Sequence, residues 1–146
     1  MEYLMGIDLG STSLKAVVYD LEGNLIASGS RPTLKNHPDP QKPDWTVWMP
    51  DYIWNGTAEA IQEAVSKLDN PNSIKAVAVT GMGMDGVPID DKGQALYPFI
   101  SWHDPRTKPQ LEWWKDKIGS DKTFSIAGNP VLHINSALRM LWIKEN

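Results

Sequence analysis

Gly6-Ile7-Asp8-Leu9-Gly10-Ser11-Thr12-Ser13-Leu14-Lys15, near the amino terminus, decides how the rest of the chain is read. The run from Tyr3 to Ile7 leads into it as a short buried strand, and Leu14 to Tyr19 leads out as a second. Asp8 falls at the end of the first strand, where a carboxylate calls for a cation or hydrogen-bond donors. Gly10 admits a tight turn, and Ser11, Thr12 and Ser13 surround it with hydroxyls and backbone N–H groups. Such a tip can wrap phosphate oxygens, with Asp8 holding a hydrated divalent metal and Lys15 adding positive charge. The same pattern, Asp-x-Gly-Ser between two apolar runs, also serves as plain hairpin punctuation.

The totals narrow the field. At 146 residues, 41% hydrophobic and 22% charged, the chain has the length of about one domain with a real core. No apolar stretch reaches the ~18 residues of a membrane span, and no charged-then-apolar leader opens the chain. The sequence therefore predicts a cytoplasmic protein with no membrane partner. The absence of cysteine excludes disulfides and thiolate metal sites. Zinc would need His37, His103 and His133 with carboxylates, and these histidines have no ligand spacing. A net charge of −4, with no Lys/Arg cluster, argues against nucleic acid as a partner. Most of the tryptophans (Trp45, Trp48, Trp54, Trp113, Trp114 and Trp142) read as core, while Trp102 stands apart for its neighbours. Oligomeric state leaves no mark in the sequence.

Beyond the second strand, Asp20 to Asn24 is a turn and Leu25 to Ser30 a third strand, so the chain opens as an antiparallel meander. Arg31 to Pro50, with five prolines, is an extended connection pinned by Trp45 and Trp48. Asp51 to Leu68 is the clearest helix, with Ile53, Trp54, Thr57, Ile61, Ala64, Val65 and Leu68 forming the stripe that packs on the sheet. The apolar run Ile74 to Thr80 suits a strand at the centre of a sheet, and the helical crossover before it sets it parallel to the first strand. Residues 87–90 and 95–100 flank the Asp91-Lys92-Gly93 turn as a hairpin. Residues 105–118 and 121–127 are helical, and Asn135 or Ser136 caps a last helix carrying Leu138, Leu141 and Trp142 on one side.

Two further segments sit where strands end or bend. Gly81, Gly83 and Gly86 let backbone approach a ligand closely; between them Met84 offers an adaptable apolar surface, and Asp85 accepts hydrogen bonds from sugar hydroxyls. In Ser101-Trp102-His103-Asp104-Pro105-Arg106, Trp102 supplies a ring for the C–H face of a sugar, while Asp104 and Arg106 bind hydroxyls or pair with each other. Each has a plainer alternative: strand punctuation for the glycines, a helix start for Asp104-Pro105. His103 and His133 read as structural, and no nucleophile–base arrangement is recognisable.

These blocks, colinear over essentially the whole chain, resemble the FGGY carbohydrate kinases of the actin/Hsp70/sugar-kinase superfamily. The resemblance rests on Gly6 to Lys15, on Ile74 to Gly86, on Asp90-Asp91-Lys92-Gly93, on Tyr97 to Thr107, and on Ala127-Gly128-Asn129 through Asn146. It implies an α/β, ribonuclease H-like (actin-like ATPase) fold: a mixed sheet with an opening antiparallel meander and flanking helices. It also implies ATP and Mg2+ as cofactors, with Asp8 serving the metal and Gly10, Ser11, Thr12, Ser13 and Lys15 near the phosphates. Met84, Asp85, Gly86, Trp102, Asp104, Arg106 and Ile134 would line the sugar pocket. Tyr97-Pro98-Phe99-Ile100-Ser101-Trp102 and Pro105-Arg106-Thr107 are similar to fuculokinase-like members, so a ketose is the implied substrate: L-fuculose first, then xylulose or rhamnulose. Many xylulokinases carry Met-His-Gly, and glycerol kinases Arg-Glu, where this chain has Met84-Asp85-Gly86. Family members are far longer and have two domains, with ATP held mainly by the second and the general-base Asp beyond residue 146. Residues 1–146 are thus expected to be an incomplete N-terminal sugar-kinase domain, with no catalytic base and no turnover alone. The alternatives are a folded fragment that only binds sugar, and a metal-dependent nuclease of the ribonuclease H-like fold. The nuclease would need further acids converging with Asp8.

Overall fold

The structure, a computed structural model, describes residues 1–146. In order it comprises β1 (Tyr3–Leu9), β2 (Ser13–Asp20), β3 (Leu25–Pro32), β4 (Val47–Trp48), α1 (Pro50–Val65), a 3-10 turn (Pro71–Ser73), β5 (Ile74–Gly81), β6 (Phe99–Ile100), α2 (Lys108–Lys117), α3 (Ser120–Ala127) and α4 (Ser136–Glu145). Residues 1–35 with 48–83 make one unit, and residues 36–47 with 84–146 a second.

In the first unit the strand order is β3-β2-β1-β5. β1, β2 and β3 form the expected antiparallel meander, and β5 runs parallel to β1, so the sheet is mixed. Along β2 the alternation is strict: Leu14, Ala16, Val18 and Asp20 are buried, with less buried residues between them. This is the period of a strand with one face in the core. Ala16, Val18 and Ala27 meet Ala60, Ala64 and Leu68 in a core of mostly small side chains. Small residues let α1 lie close, and Gly29 shows how close: a Cβ there would stand 2.0 Å from the Ala60 carbonyl oxygen.

That closeness corrects the reading of the helix. Its buried positions are Ile53, Gly56, Ala60 and Ala64, while Trp54 is 77% exposed. A hydrophobic count placed Trp54 on the stripe, but an indole has no room where backbones nearly touch. The helix also ends at Val65 rather than Leu68; Leu68 is nonetheless buried, in the turn beyond. β5 is parallel as expected but lies at the edge of the sheet, with Val77 and Val79 56% and 66% exposed. An apolar run on both faces states what a strand needs, not what residues 1–146 place against it.

Ion pairs tie β3 to α1. Arg31 bonds Glu59 at 2.8 Å and Glu63 at 2.6 Å, and Lys67 bonds Glu63 at 3.0 Å. The Arg31 hydrogen bond, then Lys67, lowers the Glu63 carboxyl from its ordinary 4.5 to about 2. A folded-state pKa below the unfolded one adds stability that is present above the unfolded value and lost as pH falls through the folded one. Wild type should therefore melt above Glu63→Gln at neutral pH, with the gap closing between about pH 4.5 and 2. A gap independent of pH in thermal unfolding would refute this linkage.

The second unit is built on a polar and aromatic core. Asn36 and Val47 form a bridge, and the Ser101 N–H donates to the Thr46 carbonyl at 3.0 Å. The expected hairpin exists in reduced form, as one bridge between Ile89 and Ala95. Asp90 accepts from the N–H groups of Lys92 and Gln94, and Gly93 takes the positive φ its turn requires. α4 starts after Asn135 as expected and buries Leu138, Arg139 and Trp142. No helix is long and apolar enough to cross a membrane.

Candidate functional site

The residues singled out in the sequence fall into two groups, one in each unit. In the first, Asp8 near the end of β1 faces Lys15 of β2 on one side and Thr80 of β5 on the other. All three border an open hollow of about 350 Å3 with Val17 and Val79 as apolar lining. The turn beyond Asp8 is held from outside: Thr33, after β3, donates its hydroxyl to the Gly10 carbonyl at 2.7 Å and its N–H to the Thr12 carbonyl at 2.9 Å. Sequence reasoning missed Thr33, whose role is set by a partner more than twenty positions away. The Gly10 N–H closes on the Ser13 carbonyl at 3.1 Å. With these groups committed, the hydroxyls of Ser11, Thr12 and Ser13 remain for a ligand.

Gly10 is required here. A Cβ would stand 2.8 Å from the Ser13 oxygen and 3.6 and 3.7 Å from the two Asp8 carboxylate oxygens. Its bare Cα keeps the turn tight. The Asp8 side chain is exposed and bonds no group of the chain. One free carboxylate beside an ammonium and hydroxyls fits a magnesium ion that keeps waters and shares phosphate oxygens. No three or more His, Asp or Glu side chains converge on one point, so a cage of protein ligands is absent, as are the added acids of two-metal nuclease chemistry.

In the second unit Asp85 is the centre. Arg139, one turn into α4, bonds its Oδ1 through Nη1 at 2.7 Å, and the same Nη1 donates to the Met84 carbonyl. Ser136, three residues earlier on α4, donates to that carbonyl at 3.0 Å. The side chains of Arg139 and Asp85 are 5% and 2% exposed. Burial pushes the Asp85 carboxyl up; Arg139 pulls it back, aided by the nearby His103 and the Trp102 amide. Asp85 Oδ2 and Arg139 Nη2 are buried with no hydrogen-bond partner. Trp102 is 42% exposed and stacks on His103 at 3.7 Å. Ser101, fully buried, accepts from the His103 N–H at 3.1 Å and fixes this corner.

Met84, Asp85 and Trp102 thus come together, and Arg139 joins them unforeseen. A single arginine in a helix reads as solvated, and its partners lie more than fifty residues away. Gly86 is exposed, with nothing within 4 Å of a Cβ position, so packing does not demand a glycine there. Ile134 is half-buried in the turn entering α4.

Asp104 and Arg106 go elsewhere. Of their two readings the structure shows the mutual pair, with both side chains 0% exposed. Arg106 Nε and Nη2 bond the two Asp104 oxygens at 2.9 and 2.7 Å, and the Thr46 N–H donates to Asp104 at 2.6 Å. The guanidinium carbon lies 4.2 Å from the Trp45 ring centre and 4.9 Å from that of Trp142, and Nη1 bonds the Tyr97 hydroxyl at 2.8 Å. Burial opposes the charge on Arg106, but Asp104 and Tyr97 outweigh it and hold its pKa above the ordinary value. Every guanidinium nitrogen and both carboxylate oxygens of this pair are thus bonded within the chain.

Residues 3–146 match the FGGY family of carbohydrate kinases, N-terminal domain. Over 99% of its length the chain is 33% identical to a glycerol kinase of Leifsonia xyli subsp. xyli (strain CTCB07), covering 28% of that protein. Over 99% it is 29% identical to an L-fuculokinase of Escherichia coli (strain K12), covering 30% of it. The crystal structure of xylulose kinase from Rhodospirillum rubrum superposes on 99% of the chain with a TM-score of 0.89 at 25% identity, over 30% of that protein. The fold is the expected actin-like, ribonuclease H-like one. The chain spans less than a third of the length of these relatives.

Proposed function

Because the chain belongs to the FGGY family of carbohydrate kinases, through its N-terminal domain, we propose that the whole protein transfers the γ-phosphoryl group of ATP to a hydroxyl of a ketose, and that residues 1–146 are its sugar-binding part. The observation that carries the sugar side is the buried Asp85, fixed by Arg139 and approached by the backbone amide of the part-exposed Trp102. An apolar ring face with one oriented carboxylate is how a protein grips a sugar, C–H groups on the ring and a hydroxyl on the oxygen. Met84 extends the apolar side, and Gly86 and Ile134 flank it.

Asp8 would hold magnesium, which when bound supplies positive charge to the phosphate oxygens. Ser11, Thr12 and Ser13 would donate to those oxygens from the turn that Thr33 pins, and Lys15 would add charge at its rim. Asp104 and Arg106, closed on each other, would shape the pocket by holding the second unit's core rather than by touching sugar. The adenosine-binding domain and the general-base Asp would lie outside residues 1–146, a reading supported by the share of its relatives that the chain spans. A cytoplasmic enzyme without nucleic-acid or membrane partners is consistent with this chemistry.

L-fuculose is the first choice of substrate, then xylulose and rhamnulose. The similarity to a glycerol kinase keeps glycerol in the comparison, although Met84-Asp85 replaces the Arg-Glu typical of glycerol kinases. The test is ATP-dependent phosphorylation by the whole protein across ketoses and glycerol. Turnover on a ketose above glycerol is expected; a folded enzyme active on none of them overturns the reading. The isolated 146 residues should release no ADP in a sugar-dependent manner.

A further inference from the structure

The second unit contains two buried Arg–Asp pairs, built differently. Arg106 and Asp104 meet through two nitrogens and two oxygens, with every carboxylate oxygen bonded. Arg139 and Asp85 meet through one contact, and Arg139 Nη1 is further committed to the Met84 carbonyl. What remains is one carboxylate oxygen, Asp85 Oδ2, and one guanidinium nitrogen, Arg139 Nη2, both shut from solvent and both unpartnered. Buried polar atoms in folded proteins are almost always satisfied, so two on one ion pair point to a group that completes them.

We propose that Arg139 positions Asp85 for substrate and that the two side chains together read one neutral hydroxyl of the sugar, or two on adjacent carbons, which donates to Asp85 Oδ2 and accepts from Arg139 Nη2. The inference rests on the sugar-binding reading above and adds a residue and a selectivity to it. A hydroxyl is both donor and acceptor, which is what the two unused atoms require. A carboxylate would set a second negative charge against Asp85, and an ammonium a second positive charge against Arg139. The site therefore selects neutral ketoses and polyols over sugar acids and amino sugars. Met84, which precedes Asp85, and Trp102, whose amide approaches its carboxyl, are both partly exposed.

The experiment uses the whole protein with its preferred ketose, the monodeoxy analogues of that ketose, and the corresponding sugar acid. Arg139→Ala should raise the ketose KM on the order of 100-fold while the KM for ATP stays within about twofold. Arg139→Lys keeps a cation against Asp85 but loses the planar second donor, so a rise of about tenfold is expected. One deoxy analogue should lose about 100-fold with wild type and show no further loss with Arg139→Ala, because the hydroxyl both groups read is gone. The sugar acid should not be phosphorylated.

An arginine that only braces the fold would penalise every analogue equally and weaken ATP and sugar together. That pattern overturns the proposal, as does a wild-type ketose KM in Arg139→Ala. Should Arg139→Ala fail to fold, Arg139→Lys with the deoxy series carries the same decision. Calorimetric titration separates this inference from the kinase reading. A protein that phosphorylates no ketose, but binds a neutral polyol that Arg139→Lys weakens, keeps the site and loses the kinase assignment. A protein that binds no neutral polyol loses both.

Discussion

Arg106→Ala is expected to destabilise the second unit by about 3–5 kcal/mol, because it leaves the Asp104 carboxylate buried without its counter-ion. In the wild type that carboxylate is 0% exposed and takes two bonds from the Arg106 guanidinium, one from the Arg106 N–H and one from the Thr46 N–H. Removing the guanidinium strips two hydrogen bonds from Asp104 and one from the Tyr97 hydroxyl, and opens a void between Trp45 and Trp142. Lysine should not rescue it. An ammonium cannot span both carboxylate oxygens while lying flat between two indole rings. Replacing both partners together with apolar residues of similar volume should recover much of the loss, since no charge is then stranded. Urea unfolding of Arg106→Ala, Arg106→Lys and the double replacement measures this. A loss below about 1 kcal/mol in Arg106→Ala, with a large rise in sugar KM instead, would return Arg106 to the sugar pocket.

This pair marks the boundary of what the sequence allows one to read. That Asp104 and Arg106 are within reach of each other is local information, two residues apart around a proline. That they are sealed by Trp45 and Trp142 is not, because those rings come from segments nearly sixty residues before and over thirty after. The same division runs through the fold. The meander, its turn at Gly10 and the parallel sense of β5 follow from period-two patterning, turn chemistry and the crossover rule, all of which act within one segment or between successive ones. The edge position of β5 and the exposure of Trp54 depend on what other segments bring alongside. Hydrophobicity marked Trp54 for the core, but steric closeness, signalled only by Gly29, Gly56 and Ala60 together, decided which face α1 turns inward. Thr33 and Arg139 were illegible for a related reason. Each is an ordinary polar residue whose importance lies entirely in a distant backbone carbonyl it holds.

Asp8→Asn is expected to lower kcat of the whole protein on the order of 1000-fold, with the sugar KM changed by no more than about threefold. Asparagine keeps the shape of the side chain and the register of β1 against β2 and β5, so the turn held by Thr33 should be undisturbed. What it removes is the negative charge that Asp8 sets opposite Lys15 in the strand register, on which the proposed divalent cation would depend. Because Asp8 is exposed and bonds nothing in the chain, its loss should leave the melting temperature within a degree or two, in contrast to Arg106→Ala. Lys15→Ala should fall short of that, by about 10- to 100-fold, since a mobile ammonium at the rim adds charge without fixing geometry. The decisive comparison is a magnesium titration of the rate. If Asp8 is the metal's protein ligand, the variant needs far more magnesium to approach its own maximum, whereas a purely structural Asp8 shifts the rate at every magnesium concentration alike. Equal magnesium dependence in the two enzymes would remove Asp8 from the phosphate-handling end of the site.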